Sequence, residues 1–231
     1  MHFQHAAAIW RDFPALVPGV LYAENITADK EISTARYEKT ARTRLASGPE
    51  SELPEIGAWR RAFAAMGLKP TQYRCASESL LRRFRKEGAL PRLHPLVDLC
   101  NAVSLAFAIP VAALDAAQIT WPLEVRYANG DEDYLTFGSE VEHPAKGEVI
   151  FADRAGQAHA RRWTNRQSGR SAVRGATSEV LIVAEALHEG ASNDVPGLVA
   201  ALAADIGEAW QAAKPRTAVL TAAAPTFQLE T

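Results

Sequence analysis

Residues 90–115 read LPRLHPLVDLCNAVSLAFAIPVAALD and hold the most informative pattern of this 231-residue chain. Apolar side chains recur there at three- and four-residue steps, at Leu96, Leu99, Cys100, Val103 and Phe107. This spacing predicts a helix over 96–107 with one buried face. Asp98 and Asn101 lie on another side of that helix, so both side chains can point into a common space. Ile109-Pro110 predicts the end of the helix, because the residue before a proline avoids the helical conformation.

Further helices are predicted on the amino-terminal side of this segment. A stripe of apolar side chains predicts a helix over 53–66. Another helix is expected from Ser77, a candidate N-cap, to Gly88. Residues 28–46 favour an exposed helix. Residues 13–26 contain two prolines and could form an edge strand, because proline cannot donate to a ladder.

Beyond Pro110 the pattern changes to strands and tight turns. Asn129-Gly130 lies between two strand-like runs, which predicts a hairpin over 123–137. Ala155-Gly156 predicts a second hairpin, over 148–163.

The remaining segments complete the predicted architecture. Residues 180–184 predict a buried strand and residues 195–213 a closing helix. The predicted fold class is α/β of the α+β type, with a mixed, mostly antiparallel sheet and packed helices. We expect an N-terminal extension packed on the body (1–50), the body itself (51–213) and a C-terminal tail (214–231).

The composition is that of an ordinary folded protein, with 48% hydrophobic and 23% charged residues and a net charge of -2. Cys75 and Cys100 allow one disulfide, but two cysteines do not suggest a secreted disulfide scaffold. The sequence has no apolar run long enough for a membrane span and no signal-peptide pattern at residues 1–10. We therefore expect a cytoplasmic location.

Basic residues are concentrated in two parts of the chain. They are Arg74, Arg82, Arg83, Arg85, Lys86 and Arg92 in the first part, and Arg154, Arg161, Arg162, Arg166, Arg170 and Arg174 in the second. Such clusters can form a phosphate-facing side on a slightly acidic protein. The alternative is a set of solvated arginines that pair with nearby acids.

The central segment resembles the B-three/B-four region, the editing domain of the phenylalanyl-tRNA synthetase beta subunit. Asp98, Asn101, Pro110 and Asp115 fall in places that match that family's pattern. The flanks resemble the family's stand-alone members in ordered motifs at Trp59-Arg60, Phe63, Tyr73-Arg74, Ser77, Leu81, Arg83, Gly147-Glu148-Val149, Asp153, Arg161-Arg162-Trp163, Arg166-Gln167-Ser168 and Thr177. The resemblance covers residues 53–185 and identifies the body as an editing-like domain.

This resemblance implies a trans-acting aminoacyl-tRNA deacylase, which would bind RNA and hydrolyse the ester on mischarged tRNA. The alternative is a catalytically inactive module of the same fold that binds tRNA or an amino acid. Aminoacylation is not expected. The family typically has a histidine just after the proline, at the place of Ala112 in the run Val111-Ala112-Ala113, and acidic residues near 169–172, where this chain has Arg170. These departures argue for an amino acid other than the synthetase's own, or for no catalysis.

Ester hydrolysis needs a positioned water and donors for the developing oxyanion more than it needs a strong base. Asn101 is the first catalytic candidate, because its amide can donate to an oxyanion or hold a water; alternatively it is a buried structural amide. His94 could be a proton shuttle or a donor, or could cap the turn before Pro95. Asp98 lies in the first helical turn, where a carboxylate is favoured, and an orienting or structural role is predicted for it.

Other polar residues are candidates for binding. The substrate-binding candidates are Ser77, Glu78, Trp163, Asn165, Arg166 and Gln167, and the tRNA-binding candidates are Arg74, Arg82, Arg83 and Arg162. A helix that starts at Ser77 could bind an anion or a carbonyl, although capping explains Ser77 equally well. Trp163 could stack on the terminal adenine or pack in the core. Arg166 could pair with the substrate or with phosphate.

No cofactor is expected. Cys75, His94 and Cys100 do not have the spacing of a zinc site, so no metal is predicted. The expected partner is aminoacylated tRNA, while the amino acid, the tRNA and the oligomeric state stay open. If the predicted site is right, His94, Asn101 and Gln167 share one cavity.

Overall fold

The computed structural model describes residues 1–229. Within these residues six helices span Ala7–Asp12 (α1), Ala35–Ala46 (α2), Pro54–Ala65 (α3), Ala76–Glu87 (α4), Pro95–Phe107 (α5) and Ala191–Ala209 (α6). Twelve strands in the same part of the chain span His2–His5 (β1), Val17–Ala23 (β2), Val111–Asp115 (β3), Leu123–Tyr127 (β4), Tyr134–Leu135 (β5), Val141–Glu142 (β6), Val149–Asp153 (β7), Ala158–Arg161 (β8), Arg166–Gln167 (β9), Val180–Ala186 (β10), Arg216–Val219 (β11) and Thr226–Gln228 (β12).

The strands form two main sheets. The first has the order β12-β1-β4-β7-β8-β9 and is antiparallel except for the parallel pair β1 and β4. The second has the order β11-β2-β10-β3 and is antiparallel throughout. Strands β5 and β6 pair with each other in a small third sheet. The predicted fold class, α/β with mostly antiparallel sheets and packed helices, is confirmed.

The second sheet lies between the first sheet and a layer of helices. Along β10 the side chains alternate: Leu181 and Val183 belong to a core shared with the first sheet, whereas Val180 and Ile182 belong to a core shared with α5 and α6. Because both faces of β10 are covered, its sequence is apolar along nearly its whole length. Glu185 interrupts that apolar run, and by the same alternation it lies on the side of Leu181 and Val183.

Helix α5 is the element that positions the candidate site. It packs against α2, α4, α6 and β3 and is buried on most sides. It ends because Ala108 takes a left-handed φ of 55°, while Ser104 Oγ donates to the Ile109 carbonyl at 2.6 Å. The helix predicted over 96–107 is therefore confirmed, as are the helix over 53–66 (α3) and the second hairpin (β7 and β8).

The predicted first hairpin, over 123–137, is wrong. Strand β4 pairs with β1 and β7, and β5 pairs with β6. The backbone N–H groups of Asn129 and Gly130 donate to the buried Glu132 carboxylate at 3.0 and 3.1 Å. The turn residues therefore close a loop around that carboxylate and do not join two paired strands.

Two smaller predictions are also wrong. Residues 13–26 do not form an edge strand, because β2 lies between β10 and β11. Ser77 is not an N-cap, because α4 already begins at Ala76 and the Ser77 hydroxyl lies 3.4 Å from Cys75 Sγ.

Both ends of the described chain take part in the sheets. Strands β1 and β2 come from the first 50 residues, and β11 and β12 come from the residues after 213. The division into 1–50, 51–213 and 214–231 stays a prediction, and Glu230 and Thr231 of the predicted tail lie outside the described residues.

Two expectations from composition can be compared with the structure. Cys75 and Cys100 are both buried and free, so they do not form the one possible disulfide. None of the helices within residues 1–229 has the length and apolarity needed to cross a bilayer.

Candidate functional site

A cavity of about 310 Å³ opens beside the amino-terminal half of α5. The cavity is lined mainly by α5 and the residues just before this helix, by β3 and β9, and by the loop before β10. Three uncharged hydrogen-bonding side chains line it, those of His94, Asn101 and Gln167. The structure therefore brings together the three residues that were expected to share one cavity, although 73 positions separate the first from the last in the printed sequence.

His94 is the N-cap of α5. Its Nδ1 accepts a hydrogen bond from the Leu96 backbone N–H at 3.2 Å, as the capping alternative predicted. Burial lowers the pKa of His94 below its usual value of 6.5, although Asp98 acts in the opposite direction. An imidazole that is neutral and accepts at Nδ1 carries its proton on Nε2. Nε2 is buried and has no partner within residues 1–229, so the ring holds an unused donor.

Asn101 and Gln167 differ in how they are held. The Asn101 side chain is half-buried, and no hydrogen-bond partner is found for it in the described part of the chain, which leaves its amide free. Gln167 Nε2 donates to the Ala113 carbonyl at 2.8 Å, which fixes the orientation of its amide. Gln167 is thus a rigid wall of the cavity, and Asn101 is its adaptable polar group.

A smaller cavity of about 60 Å³ adjoins the first, and both are lined by Val111 and Gln167. Glu185 of β10 lies at its wall and is only 2% exposed. His5 Nε2 lies 2.7 Å from Glu185 Oε1, and Trp163 Nε1 donates to the same oxygen at 2.8 Å. A carboxylate is therefore fixed beside a small cavity in an otherwise apolar layer.

Glu185 and His5 were not among the site residues predicted from the sequence. A signal for Glu185 was present, because a glutamate interrupts the apolar run VLIVAEA of a strand predicted to be buried. Charged side chains are rarely fully buried unless they are paired, so such an interruption indicates a functional or a structural pair. His5 carried no such signal, since the strand β1 that holds it is only four residues long.

Trp163 lines the smaller cavity but has no exposed surface. Its ring packs edge-on against Trp59 at 5.0 Å and against Phe13 at 4.8 Å between ring centroids. A base could not stack on this ring without displacing the core. The structure therefore favours the core-packing alternative over stacking on adenine.

Asp98, Ser77 and Glu78 line neither cavity. Asp98 Oδ1 accepts the Leu93 backbone N–H at 2.9 Å. Asp98 therefore holds the segment before α5 in place. Ser77 and Glu78 are buried in α4, and the Glu78 carboxylate pairs with Arg60 at 2.6 Å. These three residues therefore surround the site but do not line it.

Asn165 and Arg166 do line the smaller cavity. Asn165 Nδ2 donates to the Arg74 carbonyl at 2.7 Å, so this amide ties the loop before β9 to the start of α4. The Arg166 guanidinium lies 3.2 Å from Glu142 and is half-exposed at the rim.

Most candidate RNA-binding arginines are paired with acids. Arg82 lies 3.2 Å from Glu50, Arg83 lies 2.8 Å from Glu87, and Arg74 lies 3.4 Å from Glu78. Arg162 packs its guanidinium over the Tyr73 ring at 4.7 Å. These contacts match the alternative interpretation of the basic clusters, in which the arginines are solvated and pair with nearby acids.

Two other arginines lie closer to the larger cavity. Arg174 lines it and donates to the Gly169 carbonyl at 3.1 Å, and Arg170 is exposed on the same loop. Neither has an ion pair to a carboxylate within residues 1–229. They are the basic groups best placed to meet a phosphate at the cavity mouth.

Two groups that look like nucleophiles do not fit that role. Cys100 lines the larger cavity beside His94, but burial raises the pKa of its thiol to about 12, so it stays protonated. Ser171, His159 and Asp153 are joined in a chain at 2.9 and 3.2 Å. All three are buried, and Asp153 also accepts three backbone N–H groups, so this chain fixes the β7–β8 turn. The site therefore lacks an activated nucleophile among these groups.

Comparison with known proteins assigns the family. Residues 58–194 match the family described as B3/4 domain, and this is more than half of the chain. Over 87 residues the chain is 31% identical to the phenylalanine–tRNA ligase beta subunit of Shewanella oneidensis, which covers 37% of this chain and 11% of that protein. It is 25% identical over 89 residues to the same subunit of Haemophilus influenzae, with 38% and 11% covered.

The chain is also similar to solved structures. One of them is an N-terminal fragment of the phenylalanyl-tRNA synthetase beta-subunit from Pyrococcus horikoshii, with a TM-score of 0.48 and 10% identity, covering 93% of this chain and 49% of the fragment. The chain spans only 11% of the length of the curated relatives it matches. On the match over residues 58–194, the chain belongs to the B3/4 domain family.

Proposed function

We propose that this chain hydrolyses the ester bond of aminoacylated tRNA in trans. The observation that carries the proposal is that His94, Asn101 and Gln167 line one cavity in a B3/4 domain. The names of the two bacterial relatives, phenylalanine–tRNA ligase beta subunits, support aminoacylated tRNA as the substrate class.

The polar groups suit the attack of water on an activated ester. As the carbonyl carbon becomes tetrahedral, negative charge grows on its oxygen, and neutral donors stabilise that charge. The Asn101 amide is such a donor, and the buried His94 Nε2–H becomes a second one when substrate binding uncovers it; neither needs to change protonation state. The amide oxygen of Asn101 can hold the attacking water, and a hydroxyl of the terminal ribose can orient it.

The two cavities suit the two ends of the substrate. The ammonium group of an aminoacyl ester is positive and is complementary to Glu185 at the smaller cavity. The larger cavity has room for the terminal adenosine, and Leu93 and Phe137 at its edge are 69% and 70% exposed. Exposed apolar side chains beside a cavity are typical of binding sites for flat, partly apolar groups. Gln167 would then lie near the ester, at the junction.

The test is deacylation of a broad panel of mischarged tRNAs. We expect at least one of them to release its amino acid faster than in buffer, and Asn101→Ala to reduce that rate about 100-fold. Asn193→Ala, an exposed asparagine on α6, is the matched control and should keep the full rate. If no tRNA is deacylated faster than in buffer, or if both variants behave alike, the proposal is wrong.

The second candidate function is a module that binds tRNA without catalysis. It is favoured by the alanine at position 112, where the family typically has a histidine. Salt-dependent tRNA binding without turnover would support this function. Loss of that binding on neutralising Arg170 and Arg174, the basic groups at the mouth of the larger cavity, would separate RNA binding from amino-acid binding.

A further inference from the structure

Three side chains of kinds that can bind metal ions lie close together, away from the two cavities. Glu55 comes from α3, His188 from the loop after β10, and Asp194 from the first turn of α6. One possible ligand atom from each lies within 4.8 Å of those from the other two. The side chains of Glu55 and His188 are 8% and 5% exposed, and that of Asp194 is 43% exposed. The cluster is therefore buried on two sides and open to solvent at Asp194.

Two polar atoms of this cluster are left without a partner. Glu55 Oε2 and His188 Nδ1 are buried and make no hydrogen bond within the described residues. Their other polar atoms are held, since Arg44 donates to Glu55 Oε1 at 2.6 Å and His188 Nε2 lies 2.7 Å from Asp194 Oδ2. Buried polar atoms are nearly always satisfied by protein or by ordered water, so the unpaired Glu55 oxygen in this cluster indicates room for a further bound partner.

A glycine lies directly beside the hydrogen bond between His188 and Asp194. A Cβ added to Gly190 would lie 3.2 Å from Asp194 Oδ2 and 3.4 Å from His188 Nε2. A side chain at this position would therefore crowd both groups. The backbone of Gly190 has a φ of -79°, so glycine is not required there for its conformation.

We propose that Glu55, His188 and Asp194 bind one divalent cation of the zinc type, which replaces the His188–Asp194 hydrogen bond and releases the proton of that bond to solvent. Imidazole nitrogen suits Zn²⁺ and its transition-metal neighbours, whereas Mg²⁺ and Ca²⁺ prefer oxygen ligands alone. Arg44 holds one oxygen of Glu55 and so orients the carboxylate, as outer partners of metal ligands commonly do. Water completes the coordination on the open side.

Such a cation would join three separate elements. It would tie α3 to α6 and to the loop that follows β10, three residues after Glu185. Because the unfolded chain does not hold these ligands together, binding would raise the stability of the folded protein. The site is independent of ester hydrolysis, so it can be tested whether or not that activity is found.

The experiment uses the untagged full chain after treatment with a chelator. Zn²⁺ and Mg²⁺ are titrated separately by calorimetry, thermal unfolding is followed with each, and Co²⁺ is added as an absorbing probe of the ligand set. We expect one equivalent of Zn²⁺ to bind and to raise the Tm, Co²⁺ to give the spectrum of a mixed nitrogen and oxygen site, and Mg²⁺ to do neither.

Variants decide whether these residues are the ligands. Asp194→Asn changes a half-exposed side chain and should keep the fold, and we expect it to weaken Zn²⁺ binding about tenfold or more. Glu55→Gln should do the same and also abolish the rise in Tm. His143→Gln is the matched control, because His143 lies 3.5 Å from Asp133 in an exposed pair. No Zn²⁺ binding, or equal binding by wild type and all three variants, would overturn the site and leave an ordinary hydrogen-bonded cluster.

Discussion

The two adjoining cavities share Val111 and Gln167 but differ in their chemistry. The larger presents the neutral side chains of His94 and Asn101, with Arg174 at its mouth, whereas the smaller presents a carboxylate held by His5 and Trp163. A fixed charge recognises a fixed opposite charge, while adaptable neutral donors can follow charge that develops during a reaction. In the proposed function, recognition of the amino acid and chemistry at the ester therefore fall on different walls of one site.

The largest effect is expected from removing the fixed charge. Glu185→Ala leaves His5 and the Trp163 indole N–H without their partner in a buried layer. We expect the free energy of unfolding to fall by about 3 kcal/mol, measured by urea denaturation. Glu189→Ala, an exposed glutamate four positions along the chain, should change it by less than about 0.5 kcal/mol. Equal small effects would mean that the carboxylate is not held as described.

The next effect concerns the junction of the cavities. Gln167→Ala removes the wall that both share and frees the Ala113 carbonyl. We expect kcat/KM for deacylation to fall about tenfold or more, because the ester is no longer held in one orientation. Gln118→Ala, on an exposed turn, is the control and should leave kcat/KM unchanged. An unchanged rate for Gln167→Ala would separate the two cavities functionally.

A smaller effect is expected at the cap of α5. His94→Ala should cost about 1 kcal/mol of stability, and His94→Asn less, because asparagine also caps helices. Burial lowers the pKa of His94, so the unfolded chain binds this proton first as the pH falls. Stability from this group is therefore complete above a pH of about 6.5 and is lost as the pH falls below it.

The pH dependence distinguishes a donor from a general base. When the free energy of unfolding is measured by urea denaturation at several pH values, His94→Asn should lose less of it at low pH than the wild type does, because the variant lacks the imidazole that takes up the proton. The ratio of the deacylation rates of wild type and His94→Asn should stay constant from about pH 7 to 8, because a neutral donor does not titrate there, whereas the substrate's ammonium group affects both rates alike. A ratio that follows a single ionisation in that range would contradict the donor role.

The smallest effect is expected on the outer surface. Arg83→Ala breaks a half-exposed pair with Glu87, so stability should change by less than about 0.5 kcal/mol. It should leave the salt dependence of tRNA binding unchanged, whereas Arg174→Ala at the larger cavity should lower the salt slope by about one. Filter binding at several salt concentrations measures both. The opposite result would place the RNA on α4.

Much of the helical framework and part of the site could be predicted from the sequence. The period of apolar residues gave α5, and the family resemblance selected His94, Asn101 and Gln167, which line one cavity. The sequence pattern could not show whether Trp163 lies in the core or lines a pocket, because a tryptophan beside polar residues is compatible with both positions. It also could not place Ser77.

The rest depends on contacts between distant positions. Asn129-Gly130 has the local signal of a hairpin, but β4 pairs with β1 on one side and with β7 on the other, and not with β5. The partners of Glu185 come from β1 and from the loop after β8, which no local pattern can foresee. The same holds for Glu55 and His188, whose ligand atoms meet across 133 positions of the printed sequence.

The pairing of β1 with β12 has a consequence for the order of folding. His2 lies opposite Gln228 and Phe3 opposite Phe227, so the outer edge of β1 stays uncovered until β12, far along the sequence, has been synthesised. Until then the emerging chain exposes an unpaired strand edge, which is a template for association with other chains. Ribosome-bound chains that stop before residue 226 should therefore depend on chaperones more than the full chain does.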